Sequence, residues 1–205
     1  MTHRFRRLRR SQLPVDTTDL ARFLIGKTLV HDTDHGRLSG RIVETEAYVI
    51  GDESSHGFRG RTDRNQSLFL ERGHAYVYFI YGCWYALNVS SETEGVGAGV
   101  LLRALEPLEG LARMHVNRPG ASAPALARGP GCLATAMTIN RRYDGIDLCA
   151  SHSLWLAEAV RPAGKIGVST RIGLSKEAHR PLRFYEIGNP CLSGPKHLSR
   201  PHARA

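Results

Sequence analysis

Lysine is scarce: of 28 basic residues, only Lys27, Lys165, Lys176 and Lys196 are lysines. The basic surplus is arginine, and an amine nucleophile would have few candidates. No apolar run reaches membrane-spanning length, so no membrane partner is expected. Met1 to Arg10 carries five arginines and no apolar segment, unlike a secretory signal, and reads as a disordered basic tail. Cys83, Cys132, Cys149 and Cys191 show no C-x-x-C spacing. Together with the missing signal, they suggest reduced thiols in the cytoplasm, near the nucleoid in a bacterium. H-E-x-x-H is missing, and so is H-x-E with P-C-x-x-C, so no zinc hydrolase or deaminase is expected and no metal. G-x-x-x-x-G-K-[ST] and G-x-S-x-G are absent as well. Without a metal site, a phosphate cradle, a nucleophile elbow or a cofactor motif, the enzymatic chemistry that remains is hydrolysis driven by carboxylates.

What is present is positive charge. The net charge is +9 on 205 residues, and 41% apolar with 23% charged composition is that of one ordinary globular domain. Such a surplus favours a polyanion, nucleic acid first. Along the chain, Asp16 to Gly26 reads as a short helix capped by Thr17 or Thr18. Thr28–His31 and Leu38–Ile50 pair as a hairpin across residues 32–36. Leu108–Val116 and Gly129–Met137 read as helices, the second with Pro130 near its first position. Leu154–Ala157, Ile166–Ile172 and Pro181–Ile187 read as strands, and residues 194–205 form a basic tail without periodicity. Strand runs with flanking helices, not strict alternation, argue for an α+β domain around a curved, mostly antiparallel sheet. The boundaries expected are an arm over 1–15, the domain over 16–193 and a tail over 194–205.

The stretch from Gly40 to Pro107 holds most of the candidates for chemistry. In a strand over Arg41–Ile50, Glu44, Glu46 and Tyr48 share one face. Two carboxylates side by side form either a solvated outer face or a functional pair, and the strand alone does not decide. Residues 51–65 are a polar loop whose Arg59, Arg61 and Arg64 suit phosphate oxygens and whose one imidazole is His56. Ala75–Val89 reads as two strands around Tyr81-Gly82, either a plain aromatic core hairpin or one that offers Tyr81 to something outside the protein. Asn88 lies between apolar neighbours and needs a partner if it faces inward. Arg103 interrupts the apolar strand Gly99–Pro107 and must meet an anion, with Glu46 or Glu44 as candidates.

The strings GRIVETEAY, SSHGFRGRTDRN, YVYFIYG, ALNVSS and VLLRALEPLEG, with GPG near Gly129 and PLRFY near Pro181, resemble the alkyladenine (3-methyladenine) DNA glycosylase family over about Leu20 to Pro190. The resemblance implies a single α+β domain with a β-hairpin protruding into double-stranded DNA. It also implies a monomeric, cofactor-free enzyme that flips a damaged purine out of the duplex and hydrolyses its N-glycosidic bond. By this match Glu46 is the general base, and Arg103 and the main chain at Ile172 help hold its water. Tyr48, His56 and Tyr78 sandwich the base, Asn88 crowds the amino group of guanine, and Tyr81 is the wedge. Arg59, Arg61, Thr62 and Arg64 make the DNA-facing loop. Glu44 has no catalytic part and is expected to support Arg41 or the loop. One departure is Cys132-Leu133, where the family usually has a lysine. Two other functions fit part of the pattern: a non-catalytic lesion-binding module, and a carbohydrate or free-nucleoside hydrolase using Glu44 and Glu46. The last leaves the arginines and Tyr81 without a purpose.

Overall fold

One long strand is the centre of the computed structural model, which describes residues 4–199. In chain order the elements are α1 (Thr17–Leu24), β1 (Thr28–Thr33), β2 (Gly36–Tyr48), β3 (Ala75–Ile80), β4 (Trp84–Ser90) and β5 (Gly99–Glu109). They continue with α2 (Leu111–Asn117), α3 (Pro130–Ala136), β6 (Leu154–Ala157), β7 (Ile166–Ser169) and β8 (Arg183–Glu186). All pairings are antiparallel, in the order β3-β4-β5-β2-β1-β6, with β8 joined to β2 and β7 to β8. The result is a single α+β domain with a curled antiparallel sheet.

β2 runs for 13 residues and is buried without a break from Leu38 to Ala47. It pairs with β5 along one edge. On the other edge it pairs first with β1, as far as Arg41, and then with β8 over Glu44–Glu46. Register shifts beside Ile42 and Glu44 mark an irregularity where the partner changes, and such irregularities bend a strand. The bend directs the second half of β2, with both carboxylates, into the interior. Leu20 and Leu24 of α1, Leu29, Ile42, Leu102, Leu105 and Leu133 close the main core over the sheet.

Several boundaries differ from those the sequence suggests, each for a local reason. Asp16 caps α1 in place of Thr17 or Thr18: its Oδ1 accepts the Thr18 and Asp19 N–H groups at 2.8 and 2.9 Å. The Thr17 hydroxyl turns inward to Ser91 and Glu92. β5 runs past Pro107 to Glu109, so the following helix begins at Leu111 and not at Leu108. Pro107 is tolerated because it sits where the pairing with β2 shifts between Ser39 and Gly40, and an irregularity spares the donor proline lacks. β7 ends at Ser169, and Thr170 to Leu174 leave the sheet. The basic N-terminal segment is not a loose tail from residue 4 onward: Leu8 is fully buried, Arg7 bridges to Ala157, and Arg10 pairs with Asp147. In the C-terminal tail Lys196–Ser199 form a 3-10 turn, and residues 200–205 lie outside those described.

Candidate active site

Alternation along β2 places Glu44, Glu46 and Tyr48 on one side of the strand. That side is interior: both carboxylates are fully buried, which removes the solvated-face reading. Arg103 on the adjacent β5 joins them, donating from Nε to Glu44 at 2.9 Å and from Nη1 to Glu46 at 3.1 Å. Arg183 of β8 adds a second guanidinium, its Nε 2.7 Å from Glu44. Two negative and two positive charges share one buried cluster. Arg41 lies outside it and pairs with Glu186 and Glu106, so Glu44 supports Arg103 and Arg183, not Arg41 or the loop.

The two carboxylates differ in how fully they are used. An ionised carboxylate offers about four acceptor positions. Glu44 accepts four donors: Arg103 Nε, Arg183 Nε and the Ser193 hydroxyl at 2.9 Å on Oε1, and the Ser193 N–H at 2.6 Å on Oε2. Glu46 accepts three: the Tyr48 hydroxyl and Arg103 Nη1 on Oε2, and the Ile172 N–H at 2.7 Å on Oε1. One position on Oε1 is open. Burial and the adjacent Glu46 charge push the Tyr48 hydroxyl well above the ordinary phenol range, so it stays a donor.

Over this cluster lies a cavity of about 560 Å³. Tyr48, His56, Tyr78, Tyr81, Asn88, Arg103 and Ile172, all singled out from the sequence, line it. Glu46 does not reach its surface; the three groups that bind Glu46 do. The His56 ring centre lies 4.5 Å from that of Tyr78, and its Nδ1 is 2.8 Å from the Tyr76 hydroxyl. Desolvation of the ring against its neighbours, helped by the charge of Arg64, lowers the His56 pKa below its usual 6.5, although the residue as a whole stays exposed. Burial likewise pushes the Tyr78 phenol up to about 12. The His56 loop is held by close backbone approach: a Cβ on Gly57 would fall 2.0 Å from the Gly97 carbonyl oxygen. Asn88 finds its inward partner in the Tyr76 carbonyl, at 3.2 Å.

At the open end, β3 and β4 meet in a turn in which Cys83 donates to Ile80 and both central residues have positive φ, 54° at Tyr81 and 70° at Gly82. Glycine adopts this freely; a tyrosine there is strained. The Tyr81 ring is also 81% exposed, which is incompatible with a core hairpin. Arg59, Arg61, Thr62 and Arg64 sit outside the cavity on its exposed loop, where Thr62 N–H donates to Asn65.

Sequence reasoning did not reach several residues of the site. Tyr76 lies on the same strand face as Tyr78, a periodicity that could have found it. Leu68, Leu101 and Trp84 also line the cavity, beside the Gly129–Cys132 helix start that the sequence marks, and Arg183 and Ser193 complete the cluster below it. For Arg183 and Ser193 no local signal exists, because contacts across 139 and 149 residues bring them to Glu44.

The model of the family described as methylpurine-DNA glycosylase matches residues 11–190. The chain belongs to that family. It is therefore a DNA glycosylase, a hydrolase of N-glycosyl bonds that serves DNA repair, with DNA as its substrate. Among its relatives, a protein of Mesorhizobium japonicum is 59% identical over 92% of this chain and 91% of its own length. One of Paraburkholderia phytofirmans is 56% identical over 93% and 90%. One of Methanocella arvoryzae is 45% identical over 86% and 90%. All three carry the name "Putative 3-methyladenine DNA glycosylase". The glycosylase has no helix among the described residues long and apolar enough to cross a membrane.

Proposed function

We propose that this glycosylase is a monofunctional enzyme of the 3-methyladenine type, which turns a damaged purine out of duplex DNA into the cavity and releases it with a water activated by Glu46. The observation that carries this reading is that Glu46 keeps an open acceptor position on Oε1 and is bound by three residues that all line the cavity, whereas Glu44 is tied to Arg103, Arg183 and Ser193, of which only Arg103 lines it. A carboxylate with a free lone pair on the cavity side can hold one water and take its proton.

The other groups follow from the same chemistry. Breaking an N-glycosidic bond builds positive charge on the sugar, and a buried carboxylate opposes that charge where water does not screen it. Tyr48, His56 and Tyr78 supply ring faces for a planar base, Asn88 crowds an exocyclic amino group, and Arg103 and Ile172 hold Glu46 in place. Among the described residues no lysine lines the cavity, so the chemistry ends at an abasic site without a Schiff base. Arg59, Arg61, Thr62 and Arg64 face the phosphates, and the enzyme works as a monomer.

The reading is tested by incubating the protein with methylated or hypoxanthine-containing duplex in the presence of EDTA, then treating with alkali. Nicks at the lesion are expected, without metal. Salt-dependent binding with no nicks would mark a binding module instead.

In this reading the exposed Tyr81 ring fills the gap left by the extruded nucleotide. Unstacking costs a few kcal/mol, so Tyr81→Ala is expected to slow base release from duplex by roughly 10- to 100-fold at limiting enzyme. Its thermal stability should be unchanged or higher, because the ring packs little and its backbone strain remains the same or falls. Release at the wild-type rate would remove the wedge from the mechanism.

A further inference from the structure

Asp52 and Arg171 take no part in the chemistry above, yet both side chains are fully buried and form an ion pair. Burying two charges requires desolvating both. Arg171 is poorly compensated beyond that, since its Nε and Nη2 have no hydrogen-bond acceptor among the described residues. A buried group left so far unsatisfied is uncommon and asks for a reason.

The surroundings of the guanidinium supply one. Its Nη1 donates at 3.0 Å to the carbonyl of Ala47, between Glu46 and Tyr48. Its central carbon lies 4.7 Å from the centre of the Tyr48 ring, within cation–π range. The next residue in the chain, Ile172, donates its N–H to Glu46. On the other side of the pair, Asp52 Oδ1 accepts the Ser54 N–H and hydroxyl at 3.0 and 2.6 Å, and the Asp52 carbonyl accepts the Ser55 N–H at 2.9 Å. Asp52 therefore shapes the turn that leads into His56. One ion pair ties together the end of β2, the His56 loop and the segment after β7, and each of these segments contributes to the cavity.

We propose that the Asp52–Arg171 pair is the positioning device for base release, setting Tyr48 and Ile172 around Glu46 so that its open acceptor position points consistently at the water. The inference rests on the glycosylase reading. Arg171 touches neither the base nor the water; it acts through the Tyr48 ring and the Ile172 peptide. Such a device governs the rate of the chemical step and leaves duplex affinity alone, because the phosphate-facing arginines belong to a different part of the loop.

The test measures single-turnover release with enzyme in saturating excess, alongside affinity for a duplex carrying an uncleavable abasic analogue and the thermal midpoint. Arg171→Met and Asp52→Asn are each expected to lower the saturating rate by roughly 10- to 100-fold, the range for losing an outer group that orients a catalytic one. Affinity should stay within about threefold, and the double variant should be no slower than the slower single one, since the two residues act as one unit. Arg171→Lys, which keeps a cation near Asp52, should recover part of the rate. If Arg171→Met does not fold, Asp52→Asn alone decides, because it leaves the guanidinium in place. Saturating rates equal to wild type in the folded variants, or a loss confined to affinity, overturn the proposal. A wild-type protein that binds the duplex and releases no base overturns the glycosylase mechanism itself, and the role of the pair falls with it.

Discussion

Glu46→Gln is expected to reduce release of alkylated purines from duplex DNA by about 10³-fold or more, within the range lost when a positioned general base is removed. Glutamine has nearly the same shape but a weaker acceptor and one oxygen in place of two. The three donors that converge on Glu46 come from Tyr48, Arg103 and Ile172, and an amide nitrogen turned toward any of them would meet a donor. The variant therefore loses both the base and part of the hydrogen bonding that aims it. Duplex binding should persist, since the exposed arginines of the 51–65 loop are untouched. A competition assay for undamaged duplex separates the two effects, and turnover retained at the wild-type rate would remove Glu46 as the base.

The neighbouring substitution should behave in the opposite way. Glu44→Gln is expected to damage the fold before it damages the chemistry, because Glu44 answers two buried guanidinium groups and both donors of Ser193. Removing its charge leaves an excess positive charge in the interior, and breaking a buried pair in this way costs about 3–5 kcal/mol. For a domain of this size that is a fall in thermal midpoint on the order of 10 °C. Adding Arg183→Met, which removes the surplus cation, should restore a large part of the loss, and scanning calorimetry on the two single variants and the double variant measures that coupling. Equal midpoints for Glu44→Gln and wild type would mean that the cluster does not act as one electrostatic unit.

These two carboxylates also show how far the sequence goes. Residue types and alternation place Glu44, Glu46 and Tyr48 on one strand face, and the isolated arginine in an apolar run identifies Arg103 as a cation that needs an anion. Strand alternation is a local property, so the chain itself expresses it. The turn at Tyr81-Gly82 is legible for the same reason, as are the polar loop around His56 and the proline-led helix at Pro130.

Which partners hold each carboxylate is not a local property. It depends on Arg183 and Ser193, which reach Glu44 from more than a hundred residues away, and on the Ile172 N–H, which meets Glu46 across 126 residues. The sequence alone determined that acids, phenols and arginines would gather along one strand of a basic α+β domain. Only the tertiary structure decided that the strand is buried on both faces, that Glu44 is tied to Arg183 and Ser193 while Glu46 is held by groups that line the cavity, and that Asp52 and Arg171 lie against Tyr48. The physical reason is that hydrogen-bond saturation and desolvation are set by which distant segments pack over a group, and strand periodicity carries no information about those segments.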